Sequence, residues 1–414
     1  MNPQDVEIIQ SRTVKVLALG QVLGGFGLGS VLSIGALLAE KLSGSAAWSG
    51  SAATFSTLGA ATAAIPLSRL ANRFGRRRAL AVGAGIAITG AILVITAASI
   101  SSFPLLLISL LLLGAGSATS LQARFAAADL PSIRSTGRDL SLVVWATTAG
   151  AVIGPNLFGP GEFIGHQLHM PTYTGPFLFT ITAQILSTTV FWFGLKPDPL
   201  LLAKKISESE TLGLRPKTSF KSAWAILRNN PVAGYAVFSI ALSHMVMVSV
   251  MSMTPVHMKS HGATLVLVGL TISFHIAGMY AFSPVFGWLA DKIGKIRTIV
   301  LGQLIYVVAL SVAGFGSEDH NLVAAGLFLL GLGWSAATVS GSALLASSLN
   351  VDEKANVQGV SDSLMSLSGA FGGAVAGSIL TAFAFSGVNA AALIPAVLII
   401  IASGLATARA KKIA

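Results

Sequence analysis

Two short stretches decide how this chain folds: SRLANRFGRRRAL, Ser68–Leu80, and GWLADKIGKIRTIV, Gly287–Val300. Each is a basic patch built around one glycine, and each separates two long apolar runs. Gly75 and Gly294 hold the same place in the two stretches. The offset between them also pairs Gly150 with Gly369 and Gly154 with Gly373. Self-similarity on this scale is the mark of a chain built from two related halves.

Around these stretches the chain is apolar. It has 414 residues, 53% hydrophobic and 10% charged, where soluble domains carry about 25% charged residues. The apolar residues gather into runs long enough to cross a bilayer as helices, about 20 residues each. The runs fall at 13–39, 46–70, 78–101, 103–123, 138–160, 174–195, 231–258, 263–288, 298–316, 322–348, 356–384 and 387–408. The pattern predicts an all-α membrane protein with twelve transmembrane helices in two pseudo-symmetric six-helix halves, 1–195 and 231–414. Residues 196–230, rich in Lys, Ser, Glu and Pro, form the linker on the cytoplasmic side, with a surface helix expected around Phe220–Leu227. Two such halves suit a transporter whose site lies near the midplane between them.

The net charge of +11 invites a nucleic-acid partner, and the positions of the charges exclude one. With the N-terminus inside, all 26 Lys and Arg except Lys41 and Lys259 fall on one side of the membrane. This is the positive-inside pattern. It predicts a multi-pass protein of the bacterial inner membrane with both termini cytoplasmic and anionic inner-leaflet lipid beside the basic loops. Asp5 and Glu7 precede a first run too long for the core of a cleavable signal. The chain has no cysteine, so disulfides and thiolate metal sites are excluded. It has no phosphate loop and no nucleophile–base pair, which points away from ATP-driven transport and from an enzyme.

One stretch carries unusual chemistry. HMVMVSVMSMTPVHM, His244–Met258, holds five of the nine methionines and two of the seven histidines. At about 100° per residue, His244, Met247, Met251 and Met258 share one stripe, while Met245 and Met253 point elsewhere as packing. Pro255 is expected to loosen the helix just past Met251. The following span supplies His275 and Met279, four residues apart and so on one face. A histidine within a span faces the bundle or a wet cavity rather than lipid, and is a functional candidate by default. Thioether and neutral imidazole together suit Cu(I) better than hard ions. Methionine is also a common gap-filler, so packing competes with ligation.

The loop motifs resemble those of the major facilitator superfamily. R-x-G-R-R after span 2 and D-K-x-G-K after span 8 match the family's loop motif, with Asn72 standing where Asp is usual. The resemblance implies that Arg73, Gly75, Arg76 and Arg77, and Asp291, Lys292, Gly294 and Lys295, form gating loops that lock helix ends as the halves rock. GAVIGPNLFGPG, Gly150–Gly161, resembles the family's Gly-Pro motif. Span 4 has Leu110 where proton-coupled drug antiporters of the family carry an arginine. Met247-x-x-x-Met251 with His275-x-x-x-Met279 resembles the CcoA-like copper importers of the same superfamily. That resemblance implies copper import into the cytoplasm for cytochrome oxidase assembly. It makes Met247, Met251, His275 and Met279 the copper ligands, with His244 auxiliary. Copper is then the transported ion, with no permanent cofactor. Copper chaperones or oxidase assembly factors become partners beside the lipid bilayer.

Other polar residues are weaker candidates. Asp362, the one acid well inside an apolar run, either pairs with a polar neighbour or takes part in cation coupling. Gln122, Arg124, Asp129 and Arg138 read as a structural charge network, Gln21 as a cavity residue, and His166, His169 and Met170 as a solvated outer loop. His257 and His261 lie at the outer end of span 7. Two other functions compete with copper import. One is an organic-solute transporter, for riboflavin uptake or drug efflux, with a Met-rich cavity cradling a ring. The other is a copper sensor or chaperone-docking protein that binds without moving the ion.

Overall fold

A computed structural model describes residues 3–44, 48, 51–130, 136–208 and 220–413. Arg134 and the middle of the linker, 209–219, lie outside the described residues. Among those described, all regular structure is helical, as lipid demands of backbone groups that have no water to bond. The order is α1 (Pro3–Ser43), α2 (Ser51–Phe74), α3 (Arg76–Ser99), α4 (Phe103–Ala126), α5 (Thr136–Asn156), α6 (Phe158–Gln167) and α7 (Pro176–Gly194). The linker contributes α8 (Pro199–Glu208) and α9 (Phe220–Asn229), the latter on the expected surface helix. Then follow α10 (Pro231–Ser260), α11 (Leu265–Tyr280), α12 (Ser283–Lys292), α13 (Lys295–Phe315), α14 (His320–Ser347) and α15 (Val351–Ile413).

The twelve expected spans are present, three of them with altered joints. α15 is two helices joined where Phe383 and Ala384 leave the helical region, Ala384 at φ 56°. Span 8 is split into α11 and α12, and Pro284 opens α12, where its missing N–H costs no helical bond. Span 5 breaks at Leu157, between α5 and α6. Eight described segments are long and apolar enough to cross a membrane. The last of these holds both helices of α15, and α1, α2 and α5 complete the set.

Pro255, expected to loosen its helix, stands inside α10. α10 runs through it to Ser260. A proline removes one backbone bond, and neighbouring hydroxyls can hold the freed turn. The carbonyl that Pro255 leaves without its helical donor is that of Met251; in the same stretch Thr254 Oγ1 donates to the Val250 carbonyl at 2.8 Å, and Ser252 Oγ to that of Ser249 at 3.3 Å.

The two motif glycines have a backbone reason. Gly75 and Gly294 sit at φ 90° and 101°, in the left-handed region where side chains are strained. Each turns the chain sharply from one helix into the next. At Gly75 a Cβ would also strike the Asp198 carboxylate.

The chain forms two compact units, Met1–Ile133 with Ala146–Ala223 and Asn350–Ser363, and Arg134–Trp145 with Trp224–Leu349 and Leu364–Ala414. The first turns of α15 therefore pack in the first unit, and the first turns of α5 in the second. In the first unit, Ile34, Leu38, Leu106, Leu110 and Phe177 form an apolar core. In the second, Leu140 and Val144 of α5 pack on Val339 of α14.

Candidate functional site

In the second unit, α14 is the helix that the others read against. Its small residues let neighbours approach closely, as packing in lipid requires. Gly331 abuts the α11 backbone at His275, Gly278 and Met279, Gly333 meets Tyr306 of α13, and Gly341 meets Ile240 of α10. Between these contacts stands Trp334, buried at mid-helix. Its indole Nε1–H donates to His244 Nδ1 at 3.1 Å. The ring meets Tyr280 edge-on, with centroids 5.6 Å apart and planes at 77°. This is what a buried indole needs, an apolar body that is packed and an N–H that is partnered. His244 and Tyr280 are half-buried, so this aromatic cluster keeps an accessible edge. On its other side the His244 ring lies against Gly369 of α15.

His275 is fully buried, with Nδ1 2.8 Å from the Leu327 carbonyl of α14. A carbonyl only accepts, so this bond puts the proton on Nδ1 and leaves Nε2 as a lone pair. Nε2 is buried and has no hydrogen-bond partner. Leaving such an atom unsatisfied costs about 1–3 kcal/mol, which makes it a candidate for a ligand. Met279, one turn on, is buried as well. The hydroxyls of Ser335, Thr338 and Ser342 on α14 are also buried and unpartnered, and their spacing sets them on one stripe. Met247 is buried and Met251 half-buried on α10. One turn before Met247, Ser243 is bonded to Gln303 and Tyr306 of α13 at 3.0 and 2.8 Å. The Met247 side of α10 thus runs on from its α13-facing side, while His244 turns to α14 and α15. Met245 packs on Gly372, the packing role expected for it. Among the described residues no three histidines and carboxylates lie close enough to hold a metal. A soft ion here would rest on thioethers and a single imidazole.

The remaining candidates are bonded structurally. His257 donates from Nε2 to the Ser317 carbonyl, 2.8 Å away, and stacks on Phe385 with centroids 4.4 Å apart. His261 bonds the His257 carbonyl through Nδ1. Gln21 is tied to Ser120 of α4 by both ends of its amide, at 2.9 and 2.7 Å, so it joins α1 to α4. His166 and His169 are exposed.

In the first unit the charges pair in the interior. Arg76 meets Asp129 at 2.7 and 3.1 Å and Gln358 at 2.5 Å. Arg124 meets Asp362 at 2.6 Å. All four charged groups are buried. Lys354 donates to the Ala128 carbonyl at 3.0 Å. Asn72, in the place where Asp is usual, accepts from Lys204 of α8 through its side chain and its carbonyl. In the second unit Asp291 accepts from the N–H groups of Gly137 and Arg138, at 3.3 and 3.1 Å. These are first-turn donors of α5 with no helical partner. Asp291→Ala is expected to cost about 1 kcal/mol, seen as a lower thermal midpoint of the purified protein. Asp291→Asn, which keeps an acceptor, should recover much of that loss.

A model described as the Major Facilitator Superfamily matches residues 17–279 and 236–412. The chain belongs to the major facilitator superfamily. It is a membrane transporter by family, and membership points to transport rather than catalysis. A relative in Bacillus subtilis, the uncharacterized MFS-type transporter YdeG, is 38% identical over 383 residues, 92% of this chain and 88% of the relative. The riboflavin transporter RfnT of Brucella anthropi is 25% identical over 378 residues, 91% of each chain. The human organic anion transporter MFSD10 has the same fold, with a TM-score of 0.72 at 16% identity over 95% of this chain and 99% of that one.

The contacts of Trp334 with His244 and Tyr280 were not legible from motif spacing. One signal was available: tryptophan concentrates at membrane interfaces, and Trp334 stands in the middle of a span, where its N–H needs a built partner.

Proposed function

We propose that this major facilitator transporter takes up a flat, ring-bearing organic solute, of the class that riboflavin represents. The His244–Trp334–Tyr280 cluster carries this reading. An accessible edge of imidazole and phenol backed by a buried indole offers a flat ring a face to stack on and two polar groups to orient it. The methionines of α10 then serve as adaptable packing around the ring. The riboflavin-carrying relative supports the same class. The charge pattern supports a bacterial inner-membrane setting with both termini in the cytoplasm, and Asp362 is the proposed coupling residue.

Copper is the second reading, and the lone pair of His275 Nε2 with Met279 one turn away is what favours it. On that reading Met247, Met251 and His244 complete the path. None of the relatives named above is described as a copper carrier. The two readings part at a methionine. Met247→Leu keeps shape and loses the sulfur, so uptake of a ring solute should stay within about twofold. Copper uptake should fall to the empty-vector level in both Met247→Leu and His275→Ala if the second reading holds. Copper accumulation that both substitutions abolish would sink the first reading.

A further inference from the structure

Between the α2–α3 corner and the α7–α8 junction of the first unit lies a cavity of about 360 Å³. Four cations line it, Arg73, Arg77, Arg78 and Lys196. None has a carboxylate side chain as ion-pair partner among the described residues. Each lies instead over an aromatic ring. Arg73 and Arg78 sit 4.9 and 5.4 Å from the Phe74 centroid, Arg77 5.1 Å from that of Trp192, and Lys196 5.4 Å from that of Phe193. The one acid in the lining, Asp198, accepts from the backbone N–H groups of Arg77, Leu200 and Leu201, at 2.8, 3.1 and 3.2 Å. Those amides partner its carboxylate, and four cations against this one acid leave the cavity cationic.

Trp192 and Phe193 are 41% and 62% exposed near the end of the spanning helix α7. Large apolar rings on the outside of a spanning helix face lipid, and tryptophan there marks the interface. The rings hold the cations at headgroup depth with their stems in the apolar layer. Unneutralised guanidinium groups at that depth attract phosphate, and they can engage it through two N–H donors at once.

We propose that this cavity binds the phosphate of an anionic phospholipid headgroup, with the acyl chains lying along Trp192 and Phe193. The site rests on the reading that the basic loops face an anionic leaflet and is independent of the transported solute. The test uses the full chain purified in detergent and titrated with phosphatidylglycerol, phosphatidylcholine and soluble glycerol phosphate, with bound lipid counted by native mass spectrometry. Arg73→Gln/Arg77→Gln/Arg78→Gln should bind phosphatidylglycerol roughly tenfold more weakly. Arg12→Gln/Lys15→Gln/Lys205→Gln, which removes the same charge from exposed positions elsewhere, should stay within about twofold of the parent. If the first variant fails to fold, Arg73→Gln/Lys196→Gln, at two exposed positions, replaces it with a smaller loss expected. Equal losses in the cavity variant and the control would overturn the site in favour of a diffuse field. Competition by glycerol phosphate as strong as by the lipid would overturn the lipid as occupant.

Discussion

Asp362→Ala is expected to destabilise the protein by about 3–5 kcal/mol, the usual loss when one partner of a buried ion pair is removed. Asp362 and Arg124 are 0% and 2% exposed and meet at 2.6 Å. The substitution takes the carboxylate away and leaves the guanidinium in the interior. The cost is that of a buried charge deprived of its carboxylate rather than of one lost bond. A pair on the surface would contribute only about 0–1 kcal/mol, so the size of the effect reports the burial. Removing both partners together should cost far less. Arg124→Met/Asp362→Leu, apolar and similar in volume, is expected to unfold close to the parent in the same detergent. The two variants separate stability from transport. If the double variant is stable and still carries solute, the pair serves the fold alone. If it is stable and inert, the pair has a part in transport beyond the fold.

Trp334→Ala should cost about 3–5 kcal/mol through the cavity it leaves in a packed helix interface. It also takes the donor from His244 Nδ1 and the edge-on partner from Tyr280. Trp334→Phe keeps most of the ring and loses the N–H, so its stability loss should be about 1 kcal/mol. The proposed stacking site predicts a further split between these variants. Trp334→Phe should transport, with weaker apparent affinity for the solute, while Trp334→Ala should not transport even where folded protein reaches the membrane. Equal transport by folded Trp334→Ala and the parent would remove the aromatic cluster from the site.

The fold was legible because lipid leaves the chain few choices. Long apolar runs must become helices, and the two motif glycines mark corners whose backbone only glycine adopts readily. The joints were less legible. The break at Leu157 stands between Pro155 and Pro160, and the one before Ser283 stands beside Pro284, but the length of the apolar runs gave no sign that these prolines would split a span. At Pro255 the sequence marks a lost backbone bond, and the helix continues through it to Ser260. Of the site, the burial of His275 could be read from an imidazole inside a span. Its partner could not, since the Leu327 carbonyl has no side-chain signature. The pairing of Arg124 with Asp362 joins residues far apart in sequence, and periodicity carries no signal for such contacts. The composition gave both residues as candidates and could not join them.

The most direct test of the proposed function is uptake of radiolabelled riboflavin and of copper, measured side by side in cells that lack their own routes for both. Expression of this chain is predicted to raise riboflavin uptake above the empty vector, with unlabelled ring solutes competing, and to leave copper unchanged. Copper accumulating above the empty vector, with no uptake of riboflavin and no competition by a panel of ring solutes, would contradict the account.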